Sequence, residues 1–269
     1  MKNKKSKKQE PDQKVTSSNA NLKPKHSPIG ASGRSRWSKC PGSVKMSAGM
    51  ENVAGKAAQQ GTAAHELISL AMETAFSKNI STKEVLRKTV EAVSVYSDYV
   101  ESIKKDNPIH IEHSFDMSDT FDGLYGTADC VILDKATETL HVVDYKHGEA
   151  LTVEVTNNLQ LEYYALGALN TLGYACRWVQ MTIVQPRAYH PDGPVRHWRV
   201  PSLHFIGVEA DIIAEASETL KDDALLLAGP HCIFCAGKKK CPQKQTAQYE
   251  KARSEFGFYK DPKKDFGPV

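Results

Sequence analysis

Apolar residues recur at helical spacing over residues 57–76, where Ala64, Leu67, Ile68, Ala71, Met72 and Ala75 share a face, and the same spacing predicts a second helix over 82–104. The period then drops to two. Residues 109–115 alternate apolar and polar side chains as a half-buried strand does, and Asp122-Gly123 marks a turn. Strands are predicted over 125–133 and 140–146, with a polar turn over 134–138 between them. Residues 158–172 read as a helix stopped by Gly173, residues 177–184 as a strand ended by Pro186, and residues 195–200 as a shorter strand. A long amphipathic helix is predicted over 204–227, followed by a cysteine-rich loop and a polar C-terminal tail. Helices, three antiparallel strands, a helix and then one or two strands predict an α/β sandwich on a mixed sheet.

A length of 269 residues allows one large domain or two small ones, with core enough to fold without disulfides. The longest apolar runs, Val131-Ile132-Leu133 and residues 224–228, fall far short of the ~20 residues of a membrane-crossing helix. No apolar segment follows the basic N-terminus, so no secretory leader is expected and the chain reads as a soluble intracellular protein. The net charge of +3 divides unevenly. Residues 1–30 carry eight lysines and two acids, a balance of +6, which leaves −3 on the remaining 239. Rich in Lys, Ser, Asn, Gln and Pro, those 30 residues are expected to form a disordered basic tail, with ordered chain beginning near Gly30 to Trp37. The charge of the body makes no case for a broad nucleic-acid-binding surface, so any contact with DNA must come from a local site.

One such site is suggested by the strand pair. Asp129 lies in the strand predicted over 125–133, while Asp144 and Lys146, two residues apart in the next strand, share a face of the sheet. A surface ion pair is the ordinary reading of Asp-x-Lys. A second acid on the neighbouring strand, behind the small residues Gly126, Thr127 and Ala128, changes it, because two carboxylates brought together repel unless a cation sits between them. Hard oxygen ligands suit Mg²⁺ or Mn²⁺. A lysine beside them could orient or deprotonate a water, or offset charge growing in a transition state. Two helical segments flank the pair: Gly61 to His65 on the first helix, and Gln160 with Tyr164, which share a face at i,i+4. Taken alone, each is an ordinary packed or amphipathic position.

Taken together, Gly61-Thr-Ala-Ala-His65, Gly126-Thr-Ala-Asp129, Asp144-Tyr-Lys146 and Gln160-Leu-Glu-Tyr-Tyr164 resemble the PD-(D/E)XK nuclease superfamily in its RecB-like branch. Each motif is short; the joint order, over about residues 57–200, is the specific feature. The resemblance implies a restriction-endonuclease-like core, a mixed β-sheet flanked by helices. It also implies Mg²⁺- or Mn²⁺-dependent hydrolysis of DNA phosphodiesters at single-stranded or duplex ends. By the same resemblance His65, Asp129, Asp144 and the Tyr145 carbonyl are metal ligands, Lys146 is catalytic, and Gln160 and Tyr164 position the reacting strand. Asp144 stands where the family more often has glutamate.

Of six cysteines, Cys130 and Cys176 read as small buried hydrophobes. Cys232, Cys235 and Cys241 have x2 and x5 spacing, and Cys40 lies 192 residues upstream. Such thiols could hold tetrahedral Zn²⁺, with Cys40 or His231 as the fourth ligand, or an iron–sulfur cluster on four thiolates, and spacing does not separate the two. The layout of one cysteine before the core and three after resembles RecB-like nucleases with a [4Fe–4S] cluster, namely AddB-type subunits and CRISPR-adaptation exonucleases, and most of all short phage-encoded proteins. That resemblance implies an iron–sulfur-stapled helical region closing the two ends of a domain over 31–255, with a flexible tail over 256–269. Lys238 to Lys240, beside the trio, would offset thiolate charge or touch DNA.

The expectation is therefore a DNA exonuclease of phage or mobile-element recombination or replication. Its partners would be DNA and recombination or replication proteins in the cytoplasm of a bacterial host, with no membrane. A non-catalytic DNA-binding accessory protein with a structural zinc site is the second expectation.

Overall fold

A computed structural model of the chain describes residues 27–50, 85–173 and 175–256. The helix expected over 57–76, with Gly61 and His65, lies outside those residues. The described chain opens with a 3-10 turn, Ala31–Gly33, and two short helices, α1 (Arg34–Trp37) and α2 (Ser43–Ser47). Helix α3 (Val85–Lys104) precedes the strands β1 (Ile109–Asp116), β2 (Tyr125–Asp134) and β3 (Thr139–Tyr145). Helix α4 (Leu159–Leu172), strands β4 (Trp178–Val184) and β5 (Val195–Pro201) and helix α5 (His204–Leu220) follow. Two 3-10 turns, Pro230–Phe234 and Ala236–Lys239, lead into α6 (Pro242–Phe256).

The five strands lie in the order β1-β2-β3-β4-β5. Strands β3 and β4 are parallel and the other neighbours antiparallel, so the mixed α/β sheet expected from the sequence is present. A parallel pair needs a crossover, which α4 supplies. Every residue of β3 is buried, as befits a central strand covered on both faces. On one face Tyr96 and Val100 of α3 pack with Cys130, Ile132, Val143, Tyr145 and Val184. On the other, Leu161, Ala165 and Ala168 of α4 and Val208 and Ile212 of α5 pack with Val131, Leu140, Val142, Met181 and Ile183.

Helix α4 begins where Asn158 caps it, its side-chain oxygen accepting the Gln160 and Leu161 N–H groups at 3.1 Å each. It ends at Gly173, whose φ of +59° is the left-handed cap a glycine adopts without strain. Midway, Gly167 faces the Phe115 ring so closely that a Cβ would overlap it. The missing side chain lets the helix lie close upon β1 and brings its first turn to the end of β3.

The C-terminal third departs from expectation. Helix α5 stops at Leu220 instead of 227, because Lys221 turns extended with ψ 141°. The leucines beyond it suit a helix by propensity, but their backbone is engaged elsewhere. The Leu225 carbonyl accepts the Gly42 N–H at 2.9 Å, and the Leu227 N–H donates to Cys40 Sγ at 3.2 Å. Helix α6 forms where a polar tail was expected; it is largely exposed and has no apolar stripe to betray it. Both strands expected after α4 form, and Ile29, within the stretch read as tail, is buried against the core. Among the described residues no helix is long and apolar enough to cross a membrane.

Candidate functional site

The ladder between β2 and β3 ends at the pair Cys130–Val143, and the strands part beyond it. Across β2 the ladder to β1 runs from Ile111–Cys130 to His113–Ala128, passing over Glu112 and Asp129, and Glu112 takes φ +48°. Asp129 thus stands where regular pairing lapses on both sides, and its carboxylate accepts the Tyr145 N–H at 2.8 Å. One residue either side of Tyr145 are Asp144, 2% exposed, and Lys146, whose own N–H donates to the Val184 carbonyl at 2.9 Å.

Side-chain bonds link the other expected residues in one chain. Lys146 Nζ lies 2.8 and 3.1 Å from the two Asp144 oxygens and donates to Gln160 Oε1 at 2.8 Å. An ammonium only donates, so the Gln160 oxygen must face it and the amide nitrogen must face away. That nitrogen donates to the Tyr164 hydroxyl at 2.8 Å. Burial, then the nearby Asp144 and Asp129 carboxylates, push the Tyr164 hydroxyl well above the usual tyrosine range, so it stays protonated and can donate onward. Glu112 acts on the same hydroxyl in the same direction. Sequence reading passed over Glu112; the signal was an acid in β1 that a correct register sets across from Asp129.

A second network fixes this strand end from the opposite face. Arg187 Nη1 donates to His147 Nε2 at 2.7 Å, so the buried imidazole is neutral and Nδ1 carries its proton, donating to the Tyr145 hydroxyl at 2.8 Å. Burial pushes that hydroxyl up to about 12. Arg187 Nη2 donates to Glu149 at 2.9 Å. Neither His147 nor Arg187 was foreseen, since nothing in a lone histidine or arginine marks it.

Cys40, Cys232, Cys235 and Cys241 are buried, unpaired by disulfide, and line one small cavity of about 10 Å³, roughly the room of one water. Arg36, Lys238 and Lys244 also line it. Two N–H groups turn toward the sulfurs, that of Leu227 to Cys40 at 3.2 Å and that of Gly229 to Cys232 at 3.4 Å, and the Ser47 hydroxyl and the Cys235 thiol share a hydrogen bond at 3.6 Å that either can donate. Burial nevertheless pushes the Cys40 thiol up, against the lowering effect of the Leu227 and Ser43 N–H groups. Gly237 seats the second turn against α2, where a Cβ would lie 2.6 Å from Met46 Cγ. This region is tied to the first site through buried Arg34, which donates to Glu215 at 2.9 Å and to Glu162 of α4 at 3.4 Å. Cys130 is buried within the sheet and its thiol pushed up to about 12 by burial; Cys176 is half-buried.

The carboxylates of Asp129, Asp144 and Glu112 are a hard-oxygen set that fits Mg²⁺ or Mn²⁺ by type. Among the described residues no three His, Cys, Asp or Glu side chains already form a metal-holding group. Lys146 sits on Asp144, and the Tyr145 N–H holds Asp129.

A mixed five-stranded sheet between helices, with two acids and a lysine at one end, defines an α/β protein with a charged strand-end site. The chain belongs to the DUF2800 family, described as a protein of unknown function, whose model matches residues 26–265. Among solved structures it is similar to SSO0001, at 14% identity over 77% of this chain and 84% of that one, with a TM-score of 0.36. It is also similar to an alkaline exonuclease, LHK-Exo from Laribacter hongkongensis, at 15% identity over 69% of this chain and 90% of that one, with a TM-score of 0.31.

Proposed function

We propose that the chain is a divalent-metal-dependent deoxyribonuclease of the RecB-like PD-(D/E)XK type, hydrolysing phosphodiesters at DNA ends. The observation that carries this reading is the run Asp144–Lys146–Gln160–Tyr164, closed by hydrogen bonds beside Asp129. Mg²⁺ or Mn²⁺ held by Asp129, Asp144 and the Tyr145 carbonyl, with His65 as a further ligand, would supply positive charge at the scissile phosphate. Gln160 holds the lysine and Tyr164 holds Gln160, so the Lys146 ammonium meets the substrate already oriented. Its charge then offsets the negative charge that grows as water attacks phosphorus.

The test is digestion of labelled single-stranded and duplex DNA with Mg²⁺ or Mn²⁺ by the wild type and Asp144→Ala. We expect DNA to be shortened from its ends by the wild type and left intact by the variant; equal rates would overturn the assignment.

The four thiols form the second half of the proposal, a structural centre that clasps the ends of the domain. Four cysteines around one cavity support a thiolate-held centre, a [4Fe–4S] cluster or, as the alternative, a single Zn²⁺. Anaerobic purification separates them: a brown protein with broad visible absorption carries the cluster, and a colourless one with stoichiometric zinc carries the ion.

A further inference from the structure

Two loops leave the carboxyl ends of the parallel pair, residues 146–158 after β3 and 185–194 after β4, and they are locked to each other. Gln185, 1% exposed, uses its whole amide: the oxygen accepts the Val153 N–H at 2.9 Å and Arg196 at 3.0 Å, and the nitrogen donates to the Gly148 and Leu151 carbonyls at 3.0 and 2.8 Å. Arg196 also donates to the Val153 and Gly193 carbonyls at 2.8 and 2.9 Å. Nearer the tips, Thr152 Oγ1 donates to the Tyr189 carbonyl at 3.1 Å, and Arg187 pairs with Glu149 at 2.9 Å.

From this fixed frame two large side chains stand in solvent, Tyr189 at 87% and Leu151 at 55% exposure. A single exposed apolar residue is unremarkable on most surfaces. Here the backbone carbonyl beneath the ring is hydrogen-bonded to Thr152, the neighbouring Ala188 is buried, and the loop springs from the strand whose Val184 carbonyl holds the Lys146 N–H. Tyr189 is five residues past Val184, so its backbone lies on the order of 20 Å or less from that of the lysine, a reach of a few nucleotides.

We propose that Tyr189 is a stacking platform for a base of single-stranded DNA entering this site. The inference rests on the nuclease reading above and names the form of substrate it takes. An aromatic face accepts any base, so it holds a strand without reading its sequence. In a duplex both faces of every internal base are already stacked, and only the outer face of the terminal pair is open to the ring, so the platform gains less from a blunt end than from a single strand. The preformed frame means that no loop has to be ordered when the strand arrives.

Steady-state digestion of a single-stranded oligonucleotide and a blunt duplex by the wild type, Tyr189→Ala and Tyr189→Phe tests this. Tyr189→Ala should raise KM for the single strand by about 5- to 100-fold, with kcat within about twofold and a smaller effect on the duplex. Tyr189→Phe should behave as the wild type, because the ring and not the hydroxyl makes the contact. Digestion by the wild type with KM unchanged in Tyr189→Ala, or Tyr189→Phe as impaired as Tyr189→Ala, would overturn the inference alone. A wild type that neither binds nor digests DNA would overturn the nuclease reading together with it.

Discussion

Asp129, Asp144, Lys146, Gln160 and Tyr164 fall within 36 consecutive residues, and a sheet register plus one capped helix sets their positions. Cys40 and the trio Cys232, Cys235 and Cys241 come from opposite ends of the described chain, and short turns with N–H donors aimed at sulfur set theirs. The difference lies in what would survive loss of the side chains. The strand-end site stands on the β2–β3 and β3–β4 ladders, whose backbone bonds persist without its charges. The cysteine region rests on single-turn backbone bonds at each cysteine, with no strand ladder beneath them, and leaves Ile233 and Phe234 exposed between two of its thiols. Substitution at the first should change chemistry and spare the fold; at the second it should change the fold.

Cys235→Ala gives the largest expected effect. Losing one ligand of the proposed centre should cost about 4 kcal/mol or more and lower Tm by roughly 10 °C, measured by thermal unfolding. An unchanged Tm would make the cavity mere packing and erase the contrast. Lys146→Ala should lower the rate of DNA digestion by about 10³-fold, close to 4 kcal/mol of transition-state stabilisation. Its Tm should stay within about 4 °C of the wild type, the shift that 1 kcal/mol produces at this size. A large fall in Tm would mean that the strand end depends on its lysine as the cysteine turns depend on their thiols.

Gln185→Ala tests an intermediate case, since it leaves buried Arg196 short of an acceptor and two loop carbonyls short of a donor. The expected loss is about 1–3 kcal/mol of stability, with faster proteolytic nicking near Leu151 as the local readout. The smallest effect comes from the face covered by α3 and provides a baseline for both sites. His141 and His197 are held below the ordinary histidine value of 6.5, chiefly by burial, with Arg199 and Lys105 adding to it at His141 and Asp134 opposing it. Their folded pKa values are depressed, so the unfolded chain takes up protons first as the pH drops. Their contribution is present above pH 6.5 and is lost as the pH falls through the folded values. Tm should therefore be flat from pH 8 to 7 and decline in the acid range, equally in the wild type and Lys146→Ala, with a shallower decline in His141→Gln.

Much of this architecture was legible because alternation and caps are local. Strands β1 to β3 and helix α4 were readable to within about a residue or two, down to Asn158 at one end and Gly173 at the other. The grouping of Lys146, Gln160 and Tyr164 was likewise implied by motif order. What stayed hidden was set by distant partners. Residues 224–227 have helical leucines, yet Gly42 and Cys40 draw them out straight. Helix α6 is polar on all sides and carries no period. Glu112 joins the site only because the β1–β2 ladder lapses beside it, and Gln185 and Arg196 matter only once the two loops meet.

The distance between Cys40 and Cys232 has a consequence for biosynthesis. A ribosome adding about 5–20 residues per second needs on the order of 10–40 s to cross the 192 residues that separate them. During that interval Asp129, Asp144, Lys146, Gln160 and Tyr164 are all synthesised, as are Glu162 and Glu215, the partners of Arg34, while Cys40 still lacks the three thiols that line its cavity. A centre held by all four thiols, as proposed above, would therefore close only after every strand-end residue had been made.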